Sequence, residues 1–540
     1  MACTTILVGK DASYDGSTII ARNEDSANGE FNPKRFIVVK PEEQPREYKS
    51  VISHLTITLP DDPLQYTAVP NADLKEGIWG EAGVNEANVA MSATETLTTN
   101  ERVLGADPFV EYTPAKGDEP EVPGGIGEED FLTIVLPYVK TAREGVQRLG
   151  ALLEEFGTYE MNGVAFSDSN EIWWLETVGG HHWIAKRVPD EAYVTMPNQL
   201  GIDEFDLEDA LGDQEAHMCS EDLAEFIETN HLDLAVENTT PFNPRDAFGS
   251  HSDSDHVYNT PRAWYMQRFL NPYDEVWDGP DADHKPTSDD IPWARQPERK
   301  VTIEDIKYVL SSHYQGTPFD PYGVLHPPAA RGGERRTRHM YRTIGINRQS
   351  QLAVMQIRPY RPQASRAIQW MAYGSNPFNT LVPFFPNVDT TPAYLEDTTT
   401  RVTSENFYWA NRIIAALCDG AFRSTSNAVE RYQEKTGAMG HRLVAATDEQ
   451  IARLGLTAAE EAAQSAAEEE FEADNVDGDV QPMTPDETIA ALRNPEVREI
   501  LAAANQTMAD QLKEETEKLL DSVLYTRSME MKNGFHMSDF

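Results

Sequence analysis

Basic residues are scarce in this chain. With 45 Lys and Arg against 90 Asp and Glu, its 540 residues carry a formal net charge of −45 at pH 7. A field of that sign repels phosphate backbones and anionic lipid surfaces, so nucleic-acid and membrane partners are disfavoured. Long apolar runs are missing as well. No stretch approaches the roughly 20 apolar residues of a membrane span, and Met1 to Ile20 lacks a basic segment followed by a long apolar one, so no signal peptide is expected there. Three cysteines (Cys3, Cys219 and Cys418) are too few and too scattered for a disulfide framework. A reducing, cytoplasmic location is the expectation. The sequence also has no Cys-x-x-Cys pair, no His-Glu-x-x-His, no Gly-rich phosphate loop and no Gly-x-Ser-x-Gly, so nothing calls for a metal, a nucleotide or another cofactor.

What is present is an ordinary globular composition, 40% hydrophobic and 25% charged. It opens on a hairpin pattern: Cys3 to Val8 is a short β-rich run, Asp15-Gly16 is a turn signal, and Ser17 to Arg22 supplies a second strand. Further strands are expected at 35–40, 51–59, 88–96, 162–167, 171–178, 182–188, 342–347 and 352–357, several separated by turn residues alone, which favours antiparallel pairing. Between them, Glu128 to Phe156 repeats apolar residues at helical spacing and stops at Gly157. Sheets interleaved with helices predict an α+β architecture. The division expected is a catalytic domain over 3–400, with a loop-rich insertion at 200–300, and a helical C-terminal region over 401–540. Its stretch 458–480 is dense in acid and reads as a solvated segment.

Cys3 is the candidate for chemistry. A free cysteine is usually a small buried hydrophobe, and Cys219 and Cys418 read that way. Cys3 differs by position, at the head of a strand and two residues from the start. With Met1 and Ala2 removed it carries both a thiol, of pKa about 8.5, and an α-amine, of pKa about 7.7–8.0, that can take the thiol's proton near neutral pH. The cluster Arg22-Asn23-Glu24-Asp25 ends the second strand, so Arg22 and Asp25 are expected beside the start of the first. There the arginine favours thiolate and the carboxylate can hold an ammonium. The plain alternative is a solvated charged turn.

The start CTTILVGKDASYDGSTIIARNED resembles the signature of the N-terminal-nucleophile (Ntn) cysteine dipeptidases typified by dipeptidase A, relatives of choloylglycine hydrolases and penicillin V acylases. The similarity continues through Glu81–Thr96, Trp173–Leu200, Asn259–Leu270, His313–Gly323 and Trp370–Phe378. It implies an αββα sandwich, hydrolysis of dipeptides through a thioester on Cys3, no cofactor, and association into a homo-oligomer. It matches Cys3 to the nucleophile, Arg22 and Asp25 to its arginine and aspartate, Asn198 to an asparagine that helps hold the oxyanion, and Arg262 to a second active-site arginine. Glu95 falls near a position where the acylases use a neutral oxyanion donor, and a carboxylate there suits the ammonium of a dipeptide. Read from the residues alone, Asn198 is a turn residue, Arg262 a helix-surface arginine and Glu95 a solvent-facing strand end. The mechanism requires cleavage after Ala2, by Cys3 itself or by another protease. An acylase of the bile-salt or penicillin V type shares the catalytic residues, and a non-catalytic acidic binding protein is the alternative of another class.

Overall fold

The structure, a computed structural model, describes residues 2–27, 29–236, 242–323, 337–454 and 493–533; within these, the side chains of Ala2, Thr94 and Glu95 are excepted. The acidic stretch 458–480 therefore lies outside the described residues.

The hairpin forms as the sequence dictates. Strand β1 (Ala2–Val8) pairs antiparallel with β2 (Thr18–Asp25). Gly16 takes φ 84° at the turn, a conformation that costs glycine nothing, and Ser17 caps it by donating its N–H and hydroxyl to Asp15. The pair sits at the centre of a seven-stranded sheet, whose order is Ala294–Arg295, Tyr193–Met196, β1, β2, Gln349–Ile357, Ala367–Tyr373, Val382–Phe384. A six-stranded sheet runs His217–Cys219, Trp183–Arg187, Ile172–Thr177, Asn162–Ser167, Ala90–Thr96, Ala82–Val84. Both are antiparallel throughout.

Alternation along each strand decides what lies between the sheets. Leu7 and Ile20 face inward and join Ala90, Ala165, Ile172 and Trp174 of the other sheet in one core. Their neighbours Ile6, Val8, Ile19 and Ala21 face outward, onto the helices Thr260–Leu270 and Ile303–Leu310, through Trp264, Met266, Ile306 and Val309. The six-stranded sheet is covered on its own outer face by the helices Glu128–Val135 and Ala142–Phe156. The α+β expectation holds. Helices Phe407–Asp419, Phe422–Ala452 and Pro495–Met529 pack beside the seven-stranded sheet and share its cores through Ile451, Val497, Leu501, Met508 and Leu512. No helix among the described residues is long and apolar enough to cross a membrane.

Some local expectations change. The helix expected over Glu128 to Phe156 is two, broken by a 3₁₀ turn at Leu136–Tyr138 that contains Pro137. The second restarts on a Thr141 cap and stops at Gly157, φ 67°. The run 51–59 is strand over Thr56–Thr58 alone, because Ser50 donates to the Leu55 carbonyl and turns the chain back onto Glu47–Lys49. The segment 342–347 is no strand. Its backbone polar groups find partners one by one: Arg342 N–H donates to Val257, Gly345 N–H to Ser312, and the Tyr314 hydroxyl to the Arg342 carbonyl.

Candidate active site

Cys3 pairs with Glu24 across the hairpin and Thr5 pairs with Arg22. By the two-residue period, Cys3, Arg22 and Glu24 therefore share the face that looks between the sheets. The Cys3 side chain has no solvent exposure. Arg22 Nη1 donates to Cys3 Sγ at 2.9 Å. The rest of that guanidinium ties the nucleophile's sheet to its neighbour. Nε donates to Ser92 Oγ at 3.1 Å, and Nη2 donates to the Glu81 carboxylate and to the Ala93 carbonyl. Behind Arg22, Lys34 Nζ lies 3.2 Å from Glu24 and 3.1 Å from Glu81, while Glu128 approaches Arg22 Nη1 to 3.6 Å. Glu160 accepts the Glu128 backbone N–H at 2.9 Å.

Acid outnumbers base on this face: Glu24, Glu81, Glu128 and Glu160 surround Arg22 and Lys34. An ionised carboxylate loses its hydration in such a place, so burial favours the neutral acid. It pushes Glu24 up to about 8 and Glu160 up to about 7, and raises Glu128, with neighbouring carboxylates adding to each shift. Burial by itself would lower Arg22. The negative charges of Cys3, Glu81 and Glu128 outweigh it and hold the guanidinium more firmly protonated than usual. By linkage the same pairing favours the thiolate of Cys3. The other two cysteines lack this arrangement: burial pushes Cys219 up to about 12 and raises Cys418.

The opposite face of the hairpin carries Thr4 and Asp25. Asp25 pairs in register with Ala2 and forms an ion pair with Arg342. Arg262, on the helix Thr260–Leu270, reaches across with Nη1 to the Cys3 carbonyl and to Thr4 Oγ1 at 2.7 Å. Its Nη2 donates to Asn198 Oδ1 at 2.6 Å and to Asn259 Oδ1 at 2.8 Å. Asn198 in turn donates its amide to the Thr96 carbonyl at 2.9 Å. A single guanidinium thus bridges the backbone of Cys3 and the Asn198 side chain.

Of the residues singled out in the sequence, Cys3, Arg22, Asn198 and Arg262 are joined by direct or one-step hydrogen bonds. Asp25 lies on the far side of the strand pair from the thiol. The backbone of Glu95 is in the strand Ala90–Thr96, past a register irregularity between Ala93 and Glu95; its side chain lies outside the described residues. Sequence reasoning missed Lys34, Glu81, Ser92, Glu128 and Arg342. Glu81 left a faint signal, as the first residue of a matching motif, and it takes φ 65°, a left-handed conformation that non-glycine residues rarely adopt. Among the described residues there is no group of three or more His, Cys, Asp or Glu able to hold a metal ion.

A buried thiol held by a buried arginine at a strand end is suited to nucleophilic attack on a carbonyl. Comparison with known proteins agrees with that chemistry. Residues 2–435 match the model of Peptidase family C69. The chain is 98% identical over 540 residues, the full length of both, to a protein of Bifidobacterium longum named "Dipeptidase". It is 51% identical over 539 residues, again the full length of both, to a "Probable dipeptidase A" of Streptococcus pyogenes, and 44% identical over 455 residues to "Dipeptidase A" of Lactobacillus helveticus, covering 84% of this chain and 89% of that relative. The chain belongs to Peptidase family C69.

Proposed function

We propose that this protein is a dipeptidase of the Ntn-hydrolase kind, an αββα sandwich in which Cys3 attacks the amide bond of an unblocked dipeptide. The observation that carries the reading is the 2.9 Å contact from Arg22 Nη1 to Cys3 Sγ, in a chain whose full-length relatives are named dipeptidases.

Once Cys3 is the first residue, its α-amine takes the thiol proton and Arg22 stabilises the thiolate. The thiolate attacks the substrate carbonyl. Asn198 and a backbone N–H hold the oxyanion, each such donor contributing on the order of 3 kcal/mol in comparable sites. The C–N bond breaks as the Cys3 ammonium returns its proton to the departing amine, leaving a thioester. Water, deprotonated by the same α-amine, hydrolyses the thioester and restores the thiol. Arg262 fixes the Cys3 carbonyl and the Asn198 side chain with one group, which sets thiol and oxyanion donor in a common frame. Asp25 orients the Cys3 ammonium, and Glu95 takes the substrate's own ammonium. The surplus of buried carboxyl groups beside Arg22 supports a substrate with a positive charge near the scissile bond, which an acylase substrate lacks.

The test joins two measurements. Edman sequencing of active enzyme should begin at Cys3, and N-acetylated dipeptides should be hydrolysed far more slowly than free ones. Full activity with Ala2 still attached would remove the amine base, and equal turnover of free and acetylated dipeptides would return the choice to an acylase.

A further inference from the structure

Beyond the strand pair, on the Asp25 side, a cavity of about 630 Å³ opens against Arg342. That volume lies within the range of about 300–1,000 Å³ usual for small-molecule sites. Arg342 is 8% exposed and spans the wall between the cavity and the nucleophile. Its Nη2 pairs with Asp25, and its Nη1 donates to the Thr343 carbonyl at 3.0 Å and approaches Thr4 Oγ1 at 3.4 Å. Thr4 follows the nucleophile directly, and the same hydroxyl accepts from Arg262.

One part of this guanidinium is unused. Arg342 Nε is buried and has no acceptor among the described residues. A buried N–H of a charged fork is a costly group to leave unmatched, and a carboxylate is the acceptor that fits it best. The surroundings favour an anion further. Arg342 and Arg262 both lie 5.2 Å from the centre of the Tyr258 ring, and Arg348 donates to the Tyr258 hydroxyl at 2.7 Å. Three guanidiniums thus meet at one aromatic ring in a chain of net charge −45. Asn347 and His313 add polar groups to the cavity wall, the imidazole fixed through Nδ1 by Asp320 at 2.9 Å. Asp419, a carboxylate in the same wall, already accepts from the Tyr322 hydroxyl at 2.8 Å.

We infer that this cavity receives the C-terminal residue of the substrate and that Arg342 is the specificity-determining residue that binds its free carboxylate. The inference rests on the dipeptidase reading and deepens it: the carboxylate of a dipeptide lies one residue beyond the scissile amide, as Arg342 lies one residue beyond Cys3 through Thr4. A longer peptide places an amide where the carboxylate should be, so the same contact accounts for cleavage limited to dipeptides.

The experiment compares a free dipeptide with the same dipeptide carrying a C-terminal amide. The parent enzyme should prefer the free acid. Arg342→Ala should lower kcat/KM for the acid by about 10- to 100-fold, chiefly through KM, as expected for losing one charge-assisted contact. It should change the amide by much less, so that the preference collapses. Arg342→Lys, which keeps the charge and loses the fork, should fall between, and it gives the same ratio if the alanine variant does not fold. Equal losses on acid and amide would reduce Arg342 to a support for Asp25 and overturn the proposal. So would a parent enzyme indifferent to the amide. Turnover that survives Cys3→Ala would instead sink the nucleophile assignment, and the acid-to-amide ratio would still judge Arg342.

Discussion

The two faces of the β1–β2 hairpin hold opposite chemistry within one residue of each other. Toward the neighbouring sheet stand Cys3, Arg22 and Glu24, in a pocket where buried carboxyl groups outnumber cations and several are driven toward their neutral forms. Toward the helices stand Thr4 and Asp25, met by Arg262 and Arg342. A strand can do this because successive side chains point to opposite sides, so a backbone layer separates charges that would otherwise neutralise one another. The nucleophile at the strand head has access to both. A thiolate needs a cation close by, and the acid around Arg22 keeps that cation fixed without itself touching the sulfur.

The comparison breaks most completely at the thiol. Cys3→Ala should abolish hydrolysis with an unchanged circular dichroism spectrum, since a strand-end thiol contributes little packing. Cys219→Ala and Cys418→Ala, at thiols that burial keeps protonated, should cost stability at most. A folded Cys3→Ala enzyme that still turns over, beside a dead Cys219 or Cys418 variant, would put the chemistry on the wrong face.

A smaller effect is expected from Arg22→Lys. Lysine keeps the charge and loses the fork that serves Cys3, Ser92, Glu81 and Ala93 together. We expect kcat/KM to fall by about two orders of magnitude, near 3 kcal/mol at 1.36 kcal/mol per decade. The acidic limb of the pH–rate profile should move to higher pH, because the thiolate is less favoured. An unshifted profile would mean that Arg22 acts only as a tie between the sheets.

The smallest effect concerns stability. Glu24 is raised from 4.5 to about 8, first by burial. A group raised in the folded state contributes stability that is full below its unfolded pKa and is lost as pH rises through its folded one. Thermal midpoints should therefore decline between about pH 5 and pH 8. In Glu24→Gln that decline should be shallower by a few degrees, whatever the absolute midpoint. Identical slopes in parent and variant would show that Glu24 is not the carboxyl responsible.

Much of the scaffold could be read from local pattern. The CTTILV run, the Asp15-Gly16 turn and the STIIAR run specify a hairpin because strand period and turn chemistry act over a few residues. The strand at Asn162–Ser167 and the stop at Gly157 were legible for the same reason. Local pattern failed at 342–347, where a β-like composition occurs in a segment whose backbone is satisfied by Val257, Ser312 and Tyr314 from elsewhere in the chain. Asn198 and Arg262 had no distinguishing pattern of their own; the family resemblance alone pointed to them.

By itself, then, the sequence determined the hairpin, the antiparallel α+β layering and the placement of Cys3, Arg22 and Asp25 on paired strands, since each depends on neighbours in the chain. Tertiary structure decided the electrostatics of the site. Lys34, Glu81, Glu128 and Arg342 reach β1 and β2 from four separate segments, and their effect on the thiol and on Asp25 depends on distance and burial. Coulomb interactions and desolvation act through space, so no window of sequence contains them.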